Sequence, residues 1–113
     1  MKKSTKAKGN RGEEIATSYI EDLGFQIIER NYYARKLGEI DIVAVKDGVW
    51  HFIEVKSATR DFEPIYNITP RKLRRVINST NYYLKERGLD VFFSIDVLLI
   101  SGDEVEFLEN ITL

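Results

Sequence analysis

Two acid-bearing runs flank a turn dipeptide in the middle of the chain: Glu39 and Asp41 precede Asp47-Gly48, and Glu54 and Lys56 follow it. Asp-Gly between two apolar-rich runs is a strong signal for a two-residue β-hairpin loop. With those two residues as the loop, Asp41 stands opposite Glu54 and Glu39 opposite Lys56, and strand alternation puts all four side chains on one face. Facing Cβ atoms in such pairs lie about 4.5–5.5 Å apart. Two carboxylates opposed at about 4 Å repel by roughly 4 kcal/mol at an effective dielectric near 20. Something must offset that repulsion: a proton on one carboxyl, neutralisation by Lys56 and a nearby arginine, or a divalent cation between the two. The first two leave an ion-paired sheet end. The third suits the donor types, because Asp41, Glu54 and the Val55 carbonyl are hard oxygen ligands of the kind Mg²⁺ or Mn²⁺ accepts together with waters and phosphate.

Composition narrows the choice. The 113 residues include no cysteine and a single histidine, His51. That excludes disulfides, thiol catalysis and a cysteine- or histidine-clustered zinc within one chain. His51, on an apolar face of the hairpin, reads as a core histidine with its nitrogens satisfied, and Trp50 as packing. The length suits one domain, and 43% apolar with 31% charged residues is ordinary for a globular protein. No run approaches the roughly 18 apolar residues of a membrane span, so a soluble, cytoplasmic protein with no membrane partner is expected. The net charge of −1 hides segregation. Lys2, Lys3, Lys6, Lys8 and Arg11 precede the first acid, and Arg71, Lys72, Arg74 and Arg75 form a second acid-free cluster, while residues 101–113 carry acids and no base. Basic patches on an acidic body fit a nucleic-acid partner, and a pI near 5.9 argues against indiscriminate coating of it.

The elements that must position these residues follow from periodicity and breakers. Residues 1–9 read as a basic flexible arm ahead of a single domain at 10–113. Asn10 can cap a helix, with Glu13 as its capping-box partner and Ile15, Ala16, Tyr19, Ile20 and Leu23 as the apolar stripe up to Gly24. Phe25 to Tyr33, Glu39 to Lys46 and Val49 to Lys56 read as strands. Thr69-Pro70 starts a second helix with Leu73, Val76, Ile77, Thr80, Tyr83 and Leu84 on one face, ending at Gly88. Val91 to Ile100 is a strand covered on both sides, and Glu104 to Leu108 a short last strand. The expected fold is α/β, α-β-β-β-α-β-β, a mixed sheet of about five strands flanked by two main helices.

Gly38-Glu39-Ile40-Asp41 followed by Phe52-Ile53-Glu54-Val55-Lys56 resembles the hallmark of the YraN-type family of small bacterial proteins, within the PD-(D/E)xK restriction-endonuclease-like superfamily. Gly12-Glu13, Ala16, Tyr19, Gly24, Arg30-Asn31, Lys72, Arg74-Arg75, Tyr83-Leu84 and Asp96-Val97 also fall where that family has them. The superfamily includes archaeal Holliday-junction resolvases, which are similar in joining a helix-one glutamate, a strand aspartate and an ExK strand. The resemblance implies a restriction-endonuclease-like core with Asp41 and Glu54 as metal ligands, Lys56 orienting or activating the attacking water, and Glu13 touching the metal or its water. Ser57 and Ser94 stand where the family usually has arginine, and Thr80 where it has a small apolar residue.

On this basis the chain is expected to be a Mg²⁺- or Mn²⁺-dependent endonuclease on DNA, with branched or otherwise structured DNA as substrate and a homodimer as a natural way to act on two strands. A metal held by carboxylates lowers the pKa of water and acts as a Lewis acid, which phosphodiester hydrolysis needs. Lys56, set between acids, is expected to keep a high pKa and to act by charge and orientation. Glu39 is expected to support Lys56 from outside the site. Arg71, Lys72, Arg74 and Arg75 are expected to meet phosphate, the competing reading being the solvated back of a helix. For Glu13 the competing reading is the capping box alone. Tyr32, Tyr33, Tyr82 and Tyr83 can stack on unpaired bases or pack in a core. Two other functions fit the same residues: a nucleic-acid-binding module of this fold with little turnover, and a protein-interaction adaptor with a vestigial acidic site.

Overall fold

The computed structural model describes residues 3–58 and 69–111, with the backbone only for residues 3–10 and Ala58. The expected loop from Ser57 to Thr69 therefore lies largely outside the described residues, as do the side chains of Lys2, Lys3, Lys6 and Lys8.

The hairpin forms as its turn dictates. Strands β2 (Glu39–Lys46) and β3 (Val49–Ala58) pair antiparallel with Val43 opposite Phe52 and Lys46 opposite Val49, the register that the Asp47-Gly48 loop requires. Both loop residues have positive φ, +52° and +80°, as a type I′ turn demands. Strand β1 (Gln26–Tyr33) pairs antiparallel with β2. Helix α2 (Pro70–Glu86) starts where Thr69 Oγ1 accepts the Lys72 N–H, with Pro70 in the first turn, and it carries the chain across so that β4 (Phe93–Ser101) runs parallel to β3. Strand β5 (Glu104–Leu108) closes the sheet antiparallel to β4, giving the order β1-β2-β3-β4-β5. Among the described residues the architecture is mixed α/β, with five strands and two main helices.

Alternation along the strands sorts the core into two layers. On one face Ala16 and Ile20 of helix α1 (Lys3–Asp22) pack on Ile42, Ala44, Ile53 and Leu98. On the other, Tyr83 of α2 packs on Val43, Phe52 and Ile95, with Trp50 at its margin. Each large apolar side chain fully buried in this way contributes about 1.5–3 kcal/mol. The alternation fails at one place. Ile40 joins the α2 layer while Ile42 joins the α1 layer, so the chain turns over at Asp41. The facing stretch of β1 is irregular too, with Asn31 at φ +55°.

Helix α1 departs from expectation at its start. It is helical from Lys3, ahead of the expected start at Asn10, which lies within the helix. Lys and Ala are good helix formers, and the one interior glycine there costs only about 1 kcal/mol.

Candidate active site

The sheet opens where the candidate residues lie. The β2–β3 ladder ends at the pair Ile42 and Ile53, and beyond it the Asp41 carboxylate takes the place of a main-chain acceptor: Val55 N–H donates to Asp41 Oδ2 at 2.8 Å. β3 stays paired to β4 through Ala58, so β2 is the strand that parts. The hairpin register thus brings Asp41 and Glu54 to the same end of the sheet. Asp41 is 8% exposed and Glu54 half-buried. Burial, and then the charge of Glu54, push the Asp41 carboxyl from the ordinary 3.8 up to about 8, with Glu13 and Glu39 adding to the effect and the Val55 N–H opposing it. Burial also raises the Glu54 carboxyl, against the lowering pull of Lys56. Buried acids thus surround one another with little internal compensation.

Glu13 reaches this cluster from α1. Because the helix starts at Lys3, Glu13 sits in its interior and a capping box no longer explains it. Its Oε1 lies 3.5 Å from Arg30 Nη2 and is buried without a hydrogen-bond partner among the described residues, as is Arg30 Nε. Gly12 permits the approach: a Cβ there would come within 2.9 Å of Ser57 Oγ on β3. The neighbouring glycine of the hallmark does similar work for α2. Gly38 adopts φ +140°, a region open essentially to glycine, and a Cβ on it would lie 3.1 Å from Ser79 Oγ and 3.5 Å from Arg75 Nη2.

A cavity of about 370 Å³ lies between β3 and α2 beside the acids. Glu39, Glu54, Lys56, Lys72 and Arg75 line it together with Tyr33 and Arg35. Lys72 and Arg75 are three residues apart on the helix and share a face; Arg71 and Arg74 are exposed and lie outside the lining. The expected basic cluster therefore divides in two. Lys56 also differs from expectation. Its pKa is lowered, because burial and the adjacent Lys72 outweigh the raising effect of Glu54 and Asp41. Two ammonium groups held that close are stabilised by an anion between them.

Among the described residues, no group of three or more carboxylate, histidine or cysteine side chains forms a complete metal cage. The donor set still suits a hard cation. Mg²⁺ usually takes one or two carboxylates and fills its remaining positions with waters and phosphate. Glu13 Oε1, buried with only a 3.5 Å contact to Arg30 among the described residues, and the Asp41 carboxyl, raised by burial and by its acidic neighbours, are groups that nearby positive charge would stabilise.

His51 and Ser94 belong elsewhere. His51 is buried and donates from Nδ1 to Asp96 Oδ2 at 2.6 Å, as expected of a satisfied core histidine. Ser94 donates to the same carboxylate and is not among the residues lining the cavity. Sequence reasoning missed Arg35, whose Nε donates to Tyr82 Oη at 2.8 Å and whose φ is +53°. A single arginine in a polar loop carries no signal of that placement.

A family model described as Uncharacterised protein family UPF0102 matches residues 12–100, a span that includes every acid and cation of the cavity and the cluster. The chain is 60% identical over 113 residues to a UPF0102 protein of Sulfurovum sp. (strain NBC37-1), covering 100% of both. It is 56% identical over 109 residues to one of Wolinella succinogenes, covering 96% of this chain and 99% of that one. With a UPF0102 protein of Helicobacter pylori (strain HPAG1) it shares 48% identity over 107 residues, 95% and 92% of the two chains.

Proposed function

This chain belongs to the UPF0102 family, the YraN-type family that its hallmark residues resemble, and from that premise we propose that it is a Mg²⁺- or Mn²⁺-dependent nuclease that hydrolyses phosphodiester bonds in DNA through a restriction-endonuclease-like core. The observation that carries the proposal is the opened sheet end, where Asp41 fills the gap between β2 and β3 and Glu54 lines the adjoining cavity with Lys56 and Lys72. A structural sheet end would pair its acids with cations one to one. Here the acids are gathered on one side, and burial together with the adjacent Lys72 lowers the Lys56 pKa, an arrangement that a cation and a phosphate together neutralise.

Asp41, Glu54 and the Val55 carbonyl would hold the cation, which supplies Lewis acidity and a water of lowered pKa. The chain's own groups do the rest. Lys72 and Arg75 hold the phosphate oxygens, and Lys56 orients the attacking water and offsets the charge that develops as the new P–O bond forms and the ester bond breaks. Glu13 orders water at the acid cluster from the α1 side, and Glu39 restrains Lys56. No helix is long and apolar enough to cross a membrane among the described residues.

A second reading, a nucleic-acid-binding module of the same fold with little turnover, draws on one observation: Asp41 is 8% exposed and stands outside the residues lining the cavity. Calorimetry with Mg²⁺ and Mn²⁺ on the wild type and Asp41→Asn, followed by cleavage assays on branched, flapped and single-stranded DNA, separates the two. The nuclease reading expects saturable metal binding lost in the variant and cleavage lowered about a thousandfold or more, the several kcal/mol that a catalytic metal supplies. Metal and DNA binding without cleavage by the wild type would establish the binding module. Absence of metal binding even with DNA present would overturn the metal site.

A further inference from the structure

The four tyrosines that sequence alone leaves open to stacking or packing are separated by the structure. Tyr83 is fully buried, and Tyr32 is 7% exposed with its hydroxyl donating to Glu86 Oε1 at 2.6 Å. Tyr82 is half-buried and accepts from Arg35. Tyr33 is 68% exposed, and it is the one of the four that lines the cavity shared by Glu54, Lys56, Lys72 and Arg75. Its position follows from β1. Tyr33 ends that strand opposite Glu39, which also lines the cavity, while its neighbour Tyr32 is held edge-on to Tyr83 at 4.8 Å.

A cavity with cations along it and an exposed aromatic at its edge is the composition of a site that tracks a nucleic-acid backbone and stacks a base. A base offers a stacking face only where it has left the helical stack, because both faces of a base inside a duplex are covered by its neighbours. About 370 Å³ is on the scale of a small-ligand pocket, far less than a duplex segment would fill. Resting on the nuclease reading of the same site, we propose that the substrate presents an unpaired nucleotide beside the phosphate that reacts, and that Tyr33 stacks on its base while Arg35, braced by Tyr82, holds the adjoining phosphate. The substrate class is therefore single-stranded nucleic acid or the unpaired nucleotide of a flap, gap or junction, and a continuous duplex is a poor ligand. Tyr33 is a binding residue in this scheme and touches no reacting atom.

The test uses the full chain and two fluorescent probes, a short single-stranded oligonucleotide with an internal 2-aminopurine and the same strand paired into a blunt duplex, titrated without divalent ions so that no cleavage occurs. The wild type should quench the single-stranded probe on binding. Tyr33→Ala should weaken that binding about 5- to 140-fold and abolish the quench, the span that corresponds to about 1–3 kcal/mol per stacked base. Tyr33→Phe should keep both, and duplex affinity should change less than twofold in either variant. Equal loss on both probes, or no loss on either, overturns the stacking role and leaves the nuclease reading standing. If neither probe binds the wild type, the nucleic-acid reading of the site falls and this inference with it. Because the side chain is largely exposed, thermal melts of both variants should match the wild type, and they serve as the control for folding.

Discussion

Two aspartates are buried in one sheet, and their surroundings differ in kind. Asp96, with no exposed surface, spends both oxygens inside the protein: His51 Nδ1 and Ser94 Oγ donate to it, and the Asn110 N–H donates at 2.9 Å. Asp41, 8% exposed, receives one main-chain N–H and otherwise faces the charges of Glu54, Glu13 and Glu39. Burial of an acid is therefore no mark of function in this fold. What distinguishes the candidate site is the unmet demand for positive charge, while Asp96 is a fastener that ties β3, β4 and the segment after β5 together.

The contrast predicts opposite responses to removal, and this is the largest effect expected. Asp96→Ala leaves an imidazole N–H, a hydroxyl and a main-chain N–H buried without an acceptor, and it should destabilise the fold by about 3–5 kcal/mol. Asp41→Asn removes a carboxyl that its neighbours disfavour in its charged form, and without metal it should lie within about 1 kcal/mol of the wild type or above it. Urea unfolding of the two variants makes the comparison, and equal destabilisation by both would erase the distinction.

Acidity sharpens it next. The Asp41 carboxyl binds its proton up to about pH 8 in the folded chain and releases it near 3.8 when unfolded. A group raised in this way adds stability that is complete below pH 4 and is lost as pH rises through about 8. Metal-free wild type should therefore lose stability between pH 5 and 8, with a slope of at most about 1.4 kcal/mol per pH unit from this group, and Asp41→Asn should lack that component. Mg²⁺ must displace the proton, so its affinity should climb over the same interval. Melts at several pH values, with and without Mg²⁺, read both trends. An identical pH slope in wild type and variant would mean that Asp41 is already ionised.

The basic helix offers a smaller contrast of the same form. Lys72 and Arg75 line the cavity, and Arg71 and Arg74 do not. Removing either of the first pair should weaken single-strand binding by about 1 kcal/mol and reduce the salt slope by about 0.7, while Arg71→Ala and Arg74→Ala should have less effect. Equal losses across all four positions would point to a diffuse field in place of a seated phosphate.

Much of this was legible in the chain because one dipeptide set it. Asp47-Gly48 fixes the hairpin register, and the register brings Asp41 and Glu54 to one end of the sheet; alternation then divides Val43 and Phe52 from Ile42 and Ile53 correctly. Thr69-Pro70 likewise marks the start of α2. Illegible features share a cause, which is that they arise between elements. The parting of β2 from β3 depends on a side chain replacing a ladder bond, the lowered pKa of Lys56 on Lys72 arriving from another element, and the start of α1 on a basic segment with no strong breaker. A split of the basic cluster into two faces follows from helical spacing, yet which face meets the cavity is decided by Gly38 and its close approach to α2.

Glu13 carries the most direct test of the unmet-demand argument. Its ion pair with Arg30 is long at 3.5 Å, with the arginine side chain 34% exposed, so Glu13→Gln should alter stability by less than about 1 kcal/mol. If Glu13 only braced α1 against β1, activity would follow stability and hardly change. If it orders water at the acid cluster, cleavage should fall about tenfold with DNA affinity unchanged, and Mg²⁺ should bind at a lower pH because one of the charges raising the Asp41 carboxyl is gone. The second outcome cannot come from a brace. A shift of the metal-binding pH profile by a residue of α1, read by calorimetry on Glu13→Gln, would place that helix inside the electrostatics of the site, whereas an unmoved profile would return Glu13 to the structural side, with Asp96.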